Sequence, residues 1–237
     1  MKVKFSIIMP CVDVPVGSGR LPTYLKPALD SVLEAGWPDF EVLIGCDGDI
    51  SSIKEAVLSY NEPRFKYIPF EFTGHWGNPQ RNKLQKIATG THINYLDHDD
   101  VYLPGALGRV AEMAEAFPDK LLVYKIFNIQ GQERWETPYV IKPMMIGGQM
   151  MVVPNDGNVP EWTPEDYYSA DLNFCRAVHS KYEREGKGSV WVPEVIQQLR
   201  PWAVLSMKDY KLALDRLRKQ TLSDLSSIVT PPEPVDG

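Results

Sequence analysis

What most restricts the fold of this chain is a repeated switch of hydrophobic period before residue 118. Apolar, β-rich runs at Lys4–Met9, Phe40–Cys46, Phe65–Phe70 and His92–Leu96 are separated by segments with helical spacing. Pro22–Gly36 places Leu25, Leu29, Val32 and Leu33 near one face, with Gly36 as the stop. Ser51 or Ser52 is a candidate cap for a helix running to about Tyr60, and Asn78–Thr89 predicts another that ends at Gly90, with Leu84, Ile87 and Ala88 inward. Pro104–Phe117 follows, with Leu107, Val110, Ala111, Ala114 and Phe117 at period 3.6. Strands alternating with helices predict an α/β fold with a mainly parallel sheet and right-handed crossovers. In such open sheets ligands bind beyond the carboxyl ends of the strands.

Two acidic groups fall at those ends. Asp47 closes the second strand, and Asp97-His98-Asp99-Asp100 closes the fourth. Carboxylates gathered at the end of a buried strand are costly unless positive charge joins them. A divalent metal carrying a phosphorylated ligand would supply it. Alternation along the strand predicts Asp97 and Asp99 on one face and His98 on the other. Taken alone, such a short acidic motif also suits a polar turn. The arrival of both acidic groups at one sheet edge is the stronger signal.

The 237 residues are 43% hydrophobic and 24% charged, enough to build a substantial core. A net charge of -6 argues against nonspecific nucleic-acid binding. No apolar stretch is long enough to span a membrane, and the short run before Pro10 reads as a strand rather than a signal peptide. Cys11, Cys46 and Cys175 are too far apart for a metal-ligand pair or a disulfide framework, so buried thiols and a cytoplasmic location are expected. The second half is less regular. Leu121–Ile129, Gln149–Val153 and Ser189–Val192 read as strands. Thr163-Pro164-Glu165-Asp166 is a helix-start signature for a helix reaching about Glu185. Val204–Gln220 reads as an amphipathic helix, followed by an extended tail.

Several of these pieces occur in the order found in one known family. Ser6-Ile7-Ile8-Met9-Pro10, Ala28-Leu29-Asp30-Ser31-Val32-Leu33, Phe40–Gly48, Arg81-Asn82-Lys83, Ala88-Thr89-Gly90-Thr91 and Ile93–Pro104 together resemble a family 2 glycosyltransferase of the GT-A fold. The resemblance covers about residues 4–125 and is fainter over 160–202. It implies a Rossmann-like nucleotide-diphospho-sugar transferase domain over 1–202. Residues 1–103 would form the nucleotide-sugar half, residues 104–202 the acceptor half, and 203–237 a C-terminal helix and tail. Departures are the longer Cys11–Arg20 loop, Cys46 in place of an Asp before Asp47, and Ala170-Asp171 in place of a Glu-Asp pair.

The implied reaction is metal-dependent, inverting transfer of a sugar from a nucleoside diphosphate, UDP first among them, to an acceptor hydroxyl. Mn²⁺ or Mg²⁺ would be the cofactor, with Asp99 as the direct ligand and Asp97 contacting ribose or supporting the metal. Asp47 would accept from the base edge, Pro10 would end the first strand and shape the nucleotide pocket, and Arg81 would pair with the diphosphate or an Asp of the motif. Asp171 is the candidate general base, with Asp166 as its rival. Asn78 reads as a cap, His75-Trp76-Gly77 as a loop near donor or acceptor, and Trp162, Tyr167 and Tyr168 as sugar-stacking or packing groups. Two other readings stay open: a sugar-phosphate nucleotidyltransferase, for which Val16–Arg20 faintly echoes a phosphate loop, and a catalytically degenerate nucleotide-binding module. The acceptor (a glycan, a lipid-linked glycan reached from a membrane periphery, or another hydroxyl) and homo-oligomerisation are left open.

Overall fold

The computed structural model describes residues 2–11, 21–134, 140–163 and 169–200. In chain order they form β1 (Phe5–Cys11), α1 (Leu21–Glu34), β2 (Phe40–Asp47), α2 (Ser51–Leu58), β3 (Phe65–Phe70), α3 (Asn78–Ile87), β4 (His92–Tyr95), β5 (Val101–Tyr102), α4 (Ala106–Ala116), β6 (Leu121–Phe127), β7 (Met151–Pro154), α5 (Ala170–Arg184) and β8 (Ser189–Gln198). The strands make one sheet, in the order β3-β2-β1-β4-β7-β6-β8-β5. The first four pair parallel, as the alternation predicts. Beyond β4 the sheet is mixed: β7 runs antiparallel to β4 and β6, β8 is parallel to β6, and β5 is antiparallel to β8. β2 and β3 lie on one side of β1 while β4 joins on the other, so the winding reverses between β1 and β4. A reversal of this kind opens a crevice at the strands' carboxyl ends.

Both faces of the sheet are covered, which is why the early strands read as continuous apolar runs rather than alternating ones. On one face Phe5, Ile7 and Met9 meet Leu25, Leu29 and Val32 of α1, with Ile53 and Val57 of α2 and Val110 and Ala114 of α4 in the same cluster. On the other face Ile8, Leu43, Ile93 and Tyr95 meet Leu84 of α3 and Phe174, Cys175, Val178 and Tyr182 of α5. Each fully buried Leu, Ile or Val contributes about 1.5–3 kcal/mol to holding its helix on the sheet. All three cysteines are free and buried.

A buried polar knot explains the Ala88-Thr89-Gly90 turn. Glu41 of β2 accepts from Ser6 Oγ at 2.7 Å, Lys66 Nζ at 2.6 Å, and Thr89 N and Oγ1 at 2.7 and 2.8 Å. Burial alone would raise this carboxyl, but the donors outweigh it and hold it at about 2. A Cβ on Gly90 would lie 2.5 Å from Ser6 N and 2.7 Å from Lys4 O, so the turn closes against β1 only with glycine there.

Several expectations need correction. β1 does not end at Pro10: it continues to Cys11, with Pro10 opposite Gly45 and Cys11 opposite Cys46. β4 stops at Tyr95, and Asp97–Asp100 is a turn closed by Asp100 N donating to Asp97 O at 3.0 Å. Strand alternation therefore does not set the faces of Asp97, His98 and Asp99. Leu33 and Ile87 are exposed, at 44% and 48%, because each lies one step past the buried stripe of its helix. Ile50 rather than a serine occupies the cap of α2, with no side-chain cap bond. β8 runs to Gln198, longer than expected, and its end pairs with the unforeseen β5. The expected helix over Val204–Gln220 and the Asp166 region lie outside the described residues.

Candidate active site

The carboxyl end of β2 places Asp47 where it organises the next loop. Its Oδ1 accepts from Thr73 N (2.7 Å), Thr73 Oγ1 (3.2 Å) and Gln80 Nε2 (2.7 Å), and its Oδ2 accepts from Gly74 N (2.8 Å). The following backbone turns left-handed for four residues, with φ of 73° at Gly74, 59° at His75, 56° at Trp76 and 80° at Gly77. Glycine takes such angles freely, but His75 and Trp76 do so at a cost. The far end of the loop is fixed by Arg81 Nη1, which donates to Trp76 O at 3.1 Å. Gly77 lies on β1: a Cβ there would come within 2.7 Å of Pro10 Cβ.

Arg81, 7% exposed, joins this loop to the acidic turn. Its Nη2 donates to Asp97 Oδ1 at 2.5 Å and its Nη1 also to Asn78 Oδ1 at 3.0 Å. Its guanidinium lies over the Trp162 ring, 4.7 Å from the centroid. Asn78 is not the cap of α3; Gly77 holds that position, and the Asn78 amide instead donates to Thr163 O at 3.3 Å. Asn82 grips the same segment, exchanging bonds of 2.7 and 2.9 Å with the backbone of Trp162. Trp162 is packing rather than a sugar platform: it is 2% exposed and stacks on Phe174 at 4.1 Å and 9°. A Cβ on Gly148 would fall 2.2 Å from that ring, which leaves room only for glycine. Tyr167 and Tyr168 lie outside the described residues.

The acidic turn is held by partners far away in sequence. Asp97 Oδ2 accepts from Gln149 Nε2 at 3.0 Å. Burial pushes the Asp97 carboxyl up, but the charge and hydrogen bond of Arg81 outweigh it, so it stays below the ordinary value. Asp99 pairs with Arg200 Nε at 2.9 Å. Asp100 does not cap α4; it is buried and accepts from Arg200 N at 2.9 Å. Burial, with the charges of Asp99 and Asp97, pushes it well up. His98 Nδ1 lies 3.3 Å from Pro10 O, tying the turn to β1.

Asp171 sits in the first turn of α5, where Gly148 N donates to its Oδ1 at 3.0 Å. The residue is exposed to solvent, while neighbouring protein atoms partly desolvate its carboxyl. Desolvation raises its pKa and the charge of Asp97 adds to this; Arg81 and the Gly148 N–H pull back without cancelling the rise. Sequence reading missed Gln149 and Arg200. They reach Asp97 and Asp99–Asp100 across 52 and about a hundred residues, and neither stands in a motif.

Among the described residues no cluster of three or more His, Cys, Asp or Glu could hold a metal by itself. The donor set of Asp97 and Asp99 suits a hard cation of the Mg²⁺ or Mn²⁺ type, which binds through one or two carboxylates while phosphate and water complete its shell. Each of the two is paired with an arginine, Arg81 and Arg200, so a cation there would share these carboxylates with a guanidinium or displace it.

Comparison with known proteins gives a consistent picture. The model of the family described as glycosyl transferase family 2 matches residues 6–162. An uncharacterised glycosyltransferase of Rickettsia prowazekii is 25% identical over 144 residues, 60% of this chain and 43% of that protein. The GalNAc(5)-diNAcBac-PP-undecaprenol beta-1,3-glucosyltransferase of Campylobacter jejuni is 27% identical over 108 residues, 45% of this chain and 35% of that protein. The match thus spans less than half the length of either relative. Among solved structures, residues 1–349 of S. aureus TarS in complex with UDP-GlcNAc share the fold, with a TM-score of 0.64 at 16% identity, covering 82% of this chain and 58% of that one.

Proposed function

The chain belongs to glycosyl transferase family 2, and from that premise we propose that it is a glycosyltransferase that transfers a sugar from UDP to an acceptor hydroxyl with inversion, assisted by Mn²⁺ or Mg²⁺. The observation that carries this reading is that Arg81 acts on two unlike carboxylates. It donates to Asp97, which stays charged, and its field reaches Asp171, whose proton affinity is raised. Divergent carboxyl pKa values in one cleft separate a charge-holding role from an acid–base role.

On the donor side, Pro10 and Asp47 would flank the base. Asp47 Oδ2 accepts one hydrogen bond, from Gly74, among the described residues, and a carboxylate oxygen has room for a second. Asp99, helped by Asp97, would hold the divalent ion, which when bound neutralises charge on the leaving diphosphate. Arg81 would face the same diphosphate while keeping Asp97 ionised. On the acceptor side, the Asp171 carboxylate would take the acceptor's hydroxyl proton as that oxygen bonds to the anomeric carbon. A raised pKa makes it a better proton acceptor than an ordinary surface aspartate. Direct attack opposite the leaving group inverts the anomeric carbon. The UDP-GlcNAc complex of TarS, a protein of the same fold, supports UDP as the carrier. The Campylobacter relative, which acts on an undecaprenol-linked glycan, supports a glycan hydroxyl as the acceptor.

The test is a panel of nucleotide sugars incubated with the protein and Mn²⁺, Mg²⁺ or chelator, with nucleoside diphosphate release followed and product anomers read by NMR. Metal-dependent UDP release with an inverted anomer is expected. Release of pyrophosphate from a nucleoside triphosphate and sugar phosphate, or release of nothing with any donor, overturns the proposal.

A further inference from the structure

Trp76 is not explained by the core. It is 47% exposed, whereas Trp162 and Trp191 are buried at 2% and 7%. Its backbone is left-handed, as is that of His75 before it, a conformation disfavoured for an aromatic residue. Strain of this kind persists only where the surroundings impose it, and here both restraints are residues of the donor site. Asp47 takes Gly74 N at one end of the loop, and Arg81 takes Trp76 O at the other. The backbone that carries this half-exposed ring is thus held by Asp47 and Arg81.

Its place along the loop separates it from the nucleotide base. Thr73 and Gly74 make up the Asp47 end. Trp76 makes up the Arg81 end: one guanidinium bonds both Trp76 O and Asp97 Oδ1. Two residues on, Asn78 reaches across to Thr163 O, in the segment that Asn82 also grips. Trp76 therefore stands where the loop turns from the donor residues toward the acceptor half. Pyranose rings present C–H faces that lie well on an indole, while their hydroxyls remain available for hydrogen bonds.

We infer that Trp76 is the platform on which the acceptor's sugar ring lies while its hydroxyl faces Asp171. The inference rests on the glycosyltransferase reading and adds the acceptor class: a hydroxyl carried by a pyranose rather than by an open-chain alcohol.

The test uses methyl β-D-glucopyranoside and methyl N-acetyl-β-D-glucosaminide as probes, with sorbitol as the acyclic control. Saturation-transfer NMR is run on the full chain with UDP and diamagnetic Mg²⁺ present. Transfer to pyranoside ring protons but not to sorbitol is expected for wild type. Affinity should fall about tenfold in Trp76→Leu, which keeps apolar bulk without a π face, and stay within about threefold in Trp76→Phe. Circular dichroism confirms that both variants keep the fold. Unchanged pyranoside transfer in Trp76→Leu, equal transfer to sorbitol, or no pyranoside transfer in wild type would overturn the inference. So would a loss of the UDP signal in Trp76→Leu, which would make the ring a base platform. Failure of wild type to bind UDP counts against the glycosyltransferase reading and is scored separately from the pyranoside signal.

Discussion

The two edges of the cleft handle negative charge in opposite ways. On the donor edge, Asp47 accepts four hydrogen bonds and Asp97 is gripped by Arg81 and Gln149. On the acceptor edge, Asp171 accepts one backbone N–H from Gly148 among the described residues and is otherwise partly desolvated by neighbouring protein atoms. The difference is one of solvation by protein. At Asp97, where Arg81 and Gln149 replace water, the carboxylate stays charged and fixed. At Asp171, where they do not, the affinity for a proton rises. On the proposed reading, one side of the cleft would hold a charged ligand and the other would take up a proton.

The sharpest way to break this contrast is Asp171→Asn. Loss of the base should cut turnover about 10²- to 10⁴-fold, with donor affinity within about twofold, read by steady-state kinetics beside direct donor titration. Full turnover in that variant would remove the acceptor-edge role. Arg81→Met strikes the donor edge and its scaffold together, because it leaves Asp97 without its cation and Trp76 O without its donor. A loss of about 3–5 kcal/mol in unfolding free energy is expected by urea denaturation.

Acid separates the charge-holding groups by pH. His92 is lowered from 6.5 to about 4, with burial as the leading cause, so its neutral form stabilises the fold above 6.5 and that share is lost as pH falls toward 4. Glu41 is lowered from 4.5 to about 2, so its share is present above 4.5 and lost as pH falls toward 2. Each is worth up to about 3 kcal/mol. Urea midpoints at pH 7, 5 and 3 should therefore fall in two stages, and a flat profile would contradict both assignments. Asp171 behaves with the opposite sign: its raised pKa destabilises the fold once it is ionised, and as the proposed base it would act in that ionised form. Turnover should therefore fall with acid at a higher pH than an ordinary aspartate would give. The smallest effect belongs to Lys86→Met. Its pair with Glu161 is solvent-exposed, so stability should change by less than about 0.5 kcal/mol.

The donor edge was legible because its parts are local. β1–β4 are short apolar runs with helices between them, and Asp47 and Asp97 end two of those runs, so periodicity alone brings them to one edge. What stayed hidden depends on closure across the chain. Gln149 and Arg200 reach the acidic turn from 52 and about a hundred residues away, and no pattern around them marks a partner. The alternation argument for Asp97 and Asp99 failed for a related reason: β4 gives way to a turn at Leu96, where period-2 alternation no longer applies. Trp76 illustrates a third limit. Its left-handed backbone follows from Asp47 and Arg81 gripping the loop at both ends, and nothing in the string Gly74-His75-Trp76-Gly77 shows those grips.

The division between the two edges is tested most directly by calorimetric titration of UDP, with Mn²⁺ present, into wild type, Asp97→Asn and Asp171→Asn. Binding to wild type and to Asp171→Asn with similar affinity, and loss of at least about tenfold in Asp97→Asn, is the predicted result. Equal losses in both variants, or no binding to wild type, would contradict it.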